Sequence, residues 1–169
     1  MRNKNVMVIT QGAIIAALYV VLTMLANALG LANHAIQIRF SEALCVLPFF
    51  TIAAIPGLTV GCLISNILTG AMVWDVLFGS LATLIGAIGT YLLRKNKVLM
   101  MLPPVLSNMV IVPFVLRYGY GLTWMLGEVE WSVPYFAITV GIGEIISVCG
   151  LGSVLLNALI PYKRVIFKA

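Results

Sequence analysis

Six side chains carry most of the polar chemistry inside the apolar runs of this chain: Arg39, Glu42, Asn66, Asp75, Asn108 and Glu144. An ionisable group at the centre of a membrane-spanning helix costs about 2.5–3.5 kcal/mol on insertion scales, so such groups mark a function by default. Counted at 1.5 Å per residue from one end of the runs that hold them, Asn66 lies ~6 Å deep, Asn108 ~12 Å and Glu144 ~15 Å. Arg39, Glu42 and Asp75 stand at the same rim, and the opposite half of every run is free of charge. A polar cluster open on one side and sealed by an apolar half describes a pocket, because a pore needs polar lining through its full depth. Glu144 has no basic neighbour in sequence, and its depth matches that of Asn108. Arg39 and Glu42, three residues apart, are also spaced to neutralise each other. Rings surround the same rim: His34, Trp74, Tyr118, Tyr120, Trp124 and Trp131. They are candidates to cover a flat ligand, although Trp and Tyr also form belts at membrane interfaces.

The elements that must hold these residues follow from composition. Of 169 residues 62% are hydrophobic and 9% charged, and the mean hydropathy is +1.12. Soluble domains carry about 25% charged residues, so this chain cannot clothe a water-facing surface and is read as integral to a membrane. Hydropathy places six spans: Val6 to Ala28, uncleaved; Phe40 to Ile55; Gly57 to Gly70; Trp74 to Leu93; Val98 to Leu116; and Pro134 to Ile160. Pro56-Gly57 is expected to separate the second from the third, Pro103-Pro104 to start or kink the fifth, and Pro134 to open the sixth. Arg117 to Val133 is a loop. Eight of the ten Lys and Arg residues fall in three clusters, at the N-terminus, at Arg94–Lys97 and at the C-terminus. Six spans with both termini cytoplasmic put all three clusters on one side, as the positive-inside rule requires. The fold expected over residues 1–169 is therefore a single all-α bundle of six transmembrane helices.

Several functions are excluded or left without support. No glycine precedes Lys-Ser or Lys-Thr, so a phosphate-binding loop is absent and any ATP must be hydrolysed by another subunit. Cys45, Cys62 and Cys149 sit singly in apolar runs and read as packing residues, with no metal site or disulfide framework. The basic residues form no stripe suited to nucleic acid. One histidine and no nucleophile–base pair argue against an enzyme, and no cofactor is indicated. Gly12 with Ala16, and Ala13 with Ala17, give the first span two small-residue pairs at its cytoplasmic end, suited to bundle packing or to docking a partner helix.

The runs IQIRFSEALCVLPFF (Ile36 to Phe50), AAIPGL (Ala53 to Leu58), GCLISNILTG (Gly61 to Gly70) and WDVLFGSLATL (Trp74 to Leu84), with LPPVLSN (Leu102 to Asn108) and VGIGEII (Val140 to Ile146), closely resemble the QueT family of queuosine-precursor transporters. Ile52, where proline is expected, and Pro113, where glycine is expected, depart from the pattern. The resemblance implies an S component of an energy-coupling-factor transporter in a prokaryotic cell membrane, working with a transmembrane T component and two cytoplasmic ATPases. It implies a 7-deazaguanine ligand, the 7-cyano or 7-aminomethyl base, and a docking motif mapping to Ala13 and Ala17 with Gly12 and Ala16 beside them. Glu144 could accept the two adjacent N–H donors of a guanine edge and Asn108 could donate to its O6. Asp75 or Glu42 would suit an aminomethyl cation, and Trp74 or Trp124 could stack on the base; Asn66 and Arg39 complete the expected site. An S component for another nutrient such as a vitamin, or a solitary secondary transporter using Glu144 as a proton relay, is the alternative.

Overall fold

The computed structural model describes residues 4–30 and 38–167, so His34, Arg2 and Lys168 lie outside it. It is helical apart from one small hairpin. Helix α1 runs Lys4–Ala28, α2 Ala54–Leu68, α3 Val73–Leu93, α4 Leu102–Phe114, α5 Ser132–Glu144, α6 Gly152–Leu159 and α7 Lys163–Ile166. Strands β1 (Met125–Leu126) and β2 (Val129–Glu130) pair antiparallel around a turn whose Gly127 has φ +65°. A 3₁₀ helix occupies Phe40–Phe49, and π-helical turns follow α4 at Val115–Gly119 and join α5 to α6 at Ile145–Leu151. Consecutive helices α1 to α5 are neighbours, and the 3₁₀ segment runs among them, touching α1, α2, α3, α6 and the second π turn.

Among the described residues, four helical stretches are long and apolar enough to cross a membrane: Asn5–Ala28, Val73–Leu93, Leu99–Gly119 and Ser132–Ile166. Phe40–Phe49 and Ala54–Leu68 are apolar but shorter. The distribution of side chains inverts that of a soluble protein. Ile9, Val21, Leu92, Val110 and Val154 point outward, whereas Ser41, Glu42, Asn66, Asn108 and Glu144 are buried. Such a surface is matched to hydrocarbon, and the polar groups gather inside because they have no partners in lipid.

The break between the second and third expected spans lies elsewhere than at Pro56-Gly57. The chain turns at residues 51–53, and α2 runs straight through Pro56 and Gly57. Pro56 is the third residue of α2, where an amide hydrogen has no intrahelical acceptor and its absence costs nothing. Gly57 serves contact: a Cβ there would come within 2.7 Å of the Gly12 carbonyl oxygen, and one at Gly61 within 2.7 Å of the Tyr19 Cβ. These two glycines let α1 and α2 approach backbone to backbone. Pro103 and Pro104 open α4 and Pro134 lies in the first turn of α5, as expected. They have a second role at α4, because Gly86 and Gly89 of α3 lie directly against Pro104 and Pro103.

The ten-residue 3₁₀ helix is longer than most such runs, which seldom exceed four residues, and Ser41 to Pro48 are all buried. Three residues per turn stack its side chains in three rows. One row carries Glu42 and Cys45, whose thiol donates to the Glu42 Oε2 at 3.1 Å. A second carries Ser41, whose hydroxyl accepts from Thr23 on α1 at 2.9 Å. The third carries Ala43 and Val46, which face Gly152 at the start of α6.

Candidate functional site

The cavity ends of the helices are the C-termini of α1, α2 and α4 and the N-termini of α3 and α5; the basic turn Arg94–Lys97 and Lys163 lie at the other end. A cavity of about 340 Å³ opens there, within the roughly 300–1,000 Å³ typical of small-molecule sites. Its charged lining is Arg39, Asp75 and Glu144, joined by Asn108, Asn27, Thr23, Thr69 and Tyr120. Residues separated by more than a hundred positions thus meet in one concavity.

Glu144 is placed by the contact of α5 with α4. Gly141, one turn before it, has no side chain, and the Met109 thioether fills that space. This close approach sets Asn108 against the Glu144 carboxyl. Glu144 is 7% exposed, yet its Oε2 has no hydrogen-bond partner, and neither has the Ser147 Oγ three residues on. An orphaned buried acceptor costs about 1–3 kcal/mol, so a ligand N–H that fills it gains more than an ordinary hydrogen bond. Arg39 and Glu42 are the charged groups bearing on Glu144.

Glu42 lies behind the cavity wall and does not line it. Its two oxygens accept from the Tyr19 phenol at 2.5 Å and from the Cys45 thiol at 3.1 Å. The expected pairing with Arg39 is not made; among the described residues the one ion pair is Arg117–Glu130. Arg39 therefore stands as one cation among three carboxylates, Asp75, Glu42 and Glu144. Asn66 is also behind the wall, where its amide donates to the Asp75 carbonyl at 3.3 Å and thereby steadies the first turn of α3. Gly79 leaves room for this arrangement, since a Cβ there would lie 3.1 Å from the Asp75 Oδ1 and 3.2 Å from the Asn66 Nδ2.

Neither expected tryptophan reaches the cavity. Trp74 points outward from α3, is 54% exposed and stacks on Phe78. Adjacent helical positions are about 100° apart, so Trp74 and Asp75 cannot share a face. Trp124 stacks on Tyr135 with centroids 4.5 Å apart. The aromatic at the cavity is Tyr120, whose hydroxyl donates to the Asp75 Oδ2 at 3.2 Å and accepts from the Met72 amide at 3.1 Å. Burial, and then the Asp75 carboxylate, push its phenol above the ordinary value, so it stays a donor at neutral pH. Thr23 and Asn27 were missed from the sequence; the signal that marks them is their i, i+4 spacing, continuing from Tyr19 along one face of α1.

The small residues of α1 divide. Ala16 is buried against Gly61 and Gly12 against Gly57, whereas Ala13 and Ala17 are exposed on the other side of the helix. Between Arg117 and Ser132 the loop is organised by Glu130, which takes a two-pronged contact from Arg117 and a bond from the Ser132 hydroxyl at 2.8 Å. Among the described residues no group of three or more His, Cys, Asp or Glu side chains is arranged to hold a metal ion.

The profile of a family described as QueT transporter matches residues 9–161. A protein of Lactococcus lactis subsp. cremoris (strain MG1363) named queuosine precursor transporter QueT is 45% identical over 73 residues. That stretch covers 43% of this chain and 43% of the relative, so the chain spans less than half the length of the curated protein it matches. No solved structure matches the chain.

Proposed function

The chain belongs to the QueT transporter family, and on that premise we propose that it is the substrate-binding S component of an energy-coupling-factor transporter, taking up a queuosine precursor. The observation that supports this most is the cavity joining Glu144, Asn108, Asp75 and Arg39, with a Glu144 oxygen left unpartnered inside it. A 7-deazaguanine fits that donor–acceptor set. Its N1–H and 2-amino group form two adjacent donors for the Glu144 carboxylate, and its O6 accepts from the Asn108 amide. Its 7-substituent then extends toward the rim. There Asp75 suits an aminomethyl cation, and Arg39 limits the negative charge that three carboxylates would otherwise collect. Tyr120 replaces Trp74 and Trp124 as the ring at the mouth.

In this reading the cavity end faces outside, and the basic turn and both termini face the cytoplasm, with the two shorter helices completing six crossings. The cavity has no charged lining toward the basic end, so a captured ligand cannot cross by diffusion and needs partner subunits. Those partners are a T component, docked on the exposed Ala13 and Ala17 of α1, and two ATPases. Calorimetric titration of the purified protein against purines, 7-deazaguanines and vitamins tests the ligand. Saturable binding restricted to the 7-deazaguanines is expected; binding of a vitamin with no response to any deazaguanine would overturn the assignment. Uptake in cells that persists after deletion of the T component and ATPases would overturn the coupling.

A further inference from the structure

We propose that the cavity opens by parting of the α3–α4 seam and that Tyr120 is the latch that holds the seam shut. Helices α3 and α4 meet in two different ways along their length. At the basic end Gly86 and Gly89 bring α3 onto Pro104 and Pro103, so closely that a Cβ on Gly86 would lie 2.7 Å from the Pro104 Cα. At the cavity end the contact passes from backbone to the turn after α4, where a Cβ on Gly119 would lie 3.5 Å from the Trp74 Cβ. An apolar groove of about 530 Å³ runs between them there, on the face turned away from the cavity, lined by Trp74, Phe78, Ile111, Phe114, Val115 and Tyr118. Groove and cavity share their wall: Trp74 and Val115 line the groove, and their chain neighbours Asp75 and Leu116 line the cavity.

Across this end Tyr120 makes a polar tie. Its hydroxyl bonds at once to the Met72 amide and the Asp75 carboxylate, which belong to the N-terminus of α3, while its own amide donates to the Val115 carbonyl in the π turn that ends α4. Hydrogen bonds to a charged acceptor are worth more than neutral ones, and this one stands at the edge of an otherwise apolar seam. Gly119 and Gly121 flank the tyrosine, and Gly121 holds a left-handed φ of +68° that other residues rarely adopt. Gly121 has open space around its Cα, so the backbone just after the ring is free of steric restraint. Pro113 and the π turn after it leave the end of α4 with a weakened ladder, which localises the yielding to this end of the helix.

The latch rests on the binding role proposed for the cavity, but its opening can be read without ligand. Val112 lines the cavity one turn outward of Asn108, so Val112→Cys reports access from outside through its rate of reaction with a membrane-impermeant thiosulfonate. The parent protein supplies the background from Cys45, Cys62 and Cys149. Adding Tyr120→Phe, which keeps the ring and removes the hydroxyl, is expected to raise that rate about tenfold while the melting temperature stays near that of Val112→Cys alone. For a bound 7-aminomethyl-7-deazaguanine the dissociation rate should rise by a similar factor in Tyr120→Phe. An unchanged labelling rate in the folded double variant overturns the latch. Failure of the otherwise wild-type protein to bind any deazaguanine, with labelling still accelerated, overturns the ligand assignment and leaves the latch standing.

Discussion

Glu144→Gln separates affinity from stability in a way that few single changes do. The substitution keeps the volume and replaces one carboxylate oxygen with an NH₂ group. In the ligand-free protein the Glu144 Oε2 is buried and unpartnered, so the change exchanges one uncompensated polar atom for another and removes the desolvation of a charge. Stability should stay level or rise. In the proposed complex the consequence reverses, because the new NH₂ would confront the N–H groups of the deazaguanine edge. Truncating one partner of a buried, hydrogen-bonded charged contact costs about 2–5 kcal/mol, which is roughly 30-fold to several thousand-fold in Kd. Calorimetric titration in detergent gives the Kd, and a thermal melt of the same sample gives the stability. An unchanged Kd in a protein with an unchanged melt would refute the placement of the ligand edge on Glu144.

Glu42→Gln should behave in the opposite sense: it sets an amide NH₂ against either the Tyr19 or the Cys45 donor, lowering the melting temperature with a loss of about 1–3 kcal/mol and changing Kd less than Glu144→Gln. Ala17→Trp should leave ligand binding intact and block co-purification with the T component, because Ala17 is exposed away from the cavity; loss of ligand binding as well would place that face inside the bundle. Cysteines introduced at Asn96 and at Glu128 should label from opposite sides of the membrane, Asn96→Cys from the cytoplasm and Glu128→Cys from outside, and labelling of both from one side would end the six-crossing topology. Glu130 is held below the ordinary carboxylate range by its bonds to Arg117 and then Ser132, so the order that it gives the loop is complete above the unfolded value and is lost as pH falls through the folded one. Trp124 and Trp131 fluorescence followed through an acid titration checks this, and a midpoint at or above the ordinary carboxylate value would contradict it.

The long elements were legible in the sequence because an apolar run of about 20 residues has few alternatives in a chain this short of charge. Val6 to Ala28 and Trp74 to Leu93 fall within a residue or two of α1 and α3. Pro103-Pro104 and Pro134 read correctly as helix starts. Pro56-Gly57 did not, because a proline marks a helix end and a first turn with the same local chemistry, and only the packing of Gly57 on Gly12 distinguishes them. The 3₁₀ winding of Phe40–Phe49 was illegible, since hydropathy reports burial and says nothing of pitch. Depth counting brought Asn108 and Glu144 together because each lies well inside a regular helix with a legible end. It could not tell lining from support for Glu42 and Asn66, which differ from Asp75 by facing. Trp74 and Trp124 were misplaced because rim position fixes height alone; rotation about the helix axis sent Trp74 outward, and the hairpin carried Trp124 onto Tyr135.

Pitch also changes how far a segment reaches. At about 2.0 Å per residue a 3₁₀ helix of ten residues extends roughly 20 Å, against about 15 Å for the same residues wound as an α-helix. Phe40–Phe49 thus connects the rim of the cavity to the Phe50–Phe167 stack at the basic end with about a quarter fewer residues than the α form needs. The chain thereby economises on its most expensive material, residues that must be small or exactly partnered because they are enclosed on every side. It also stores length, for rewinding this segment toward α would draw the Glu42 end and the Phe49 end about 5 Å closer. An element of this kind is a mechanical link between the two faces of the bundle, and any shortening at one face is felt at the other.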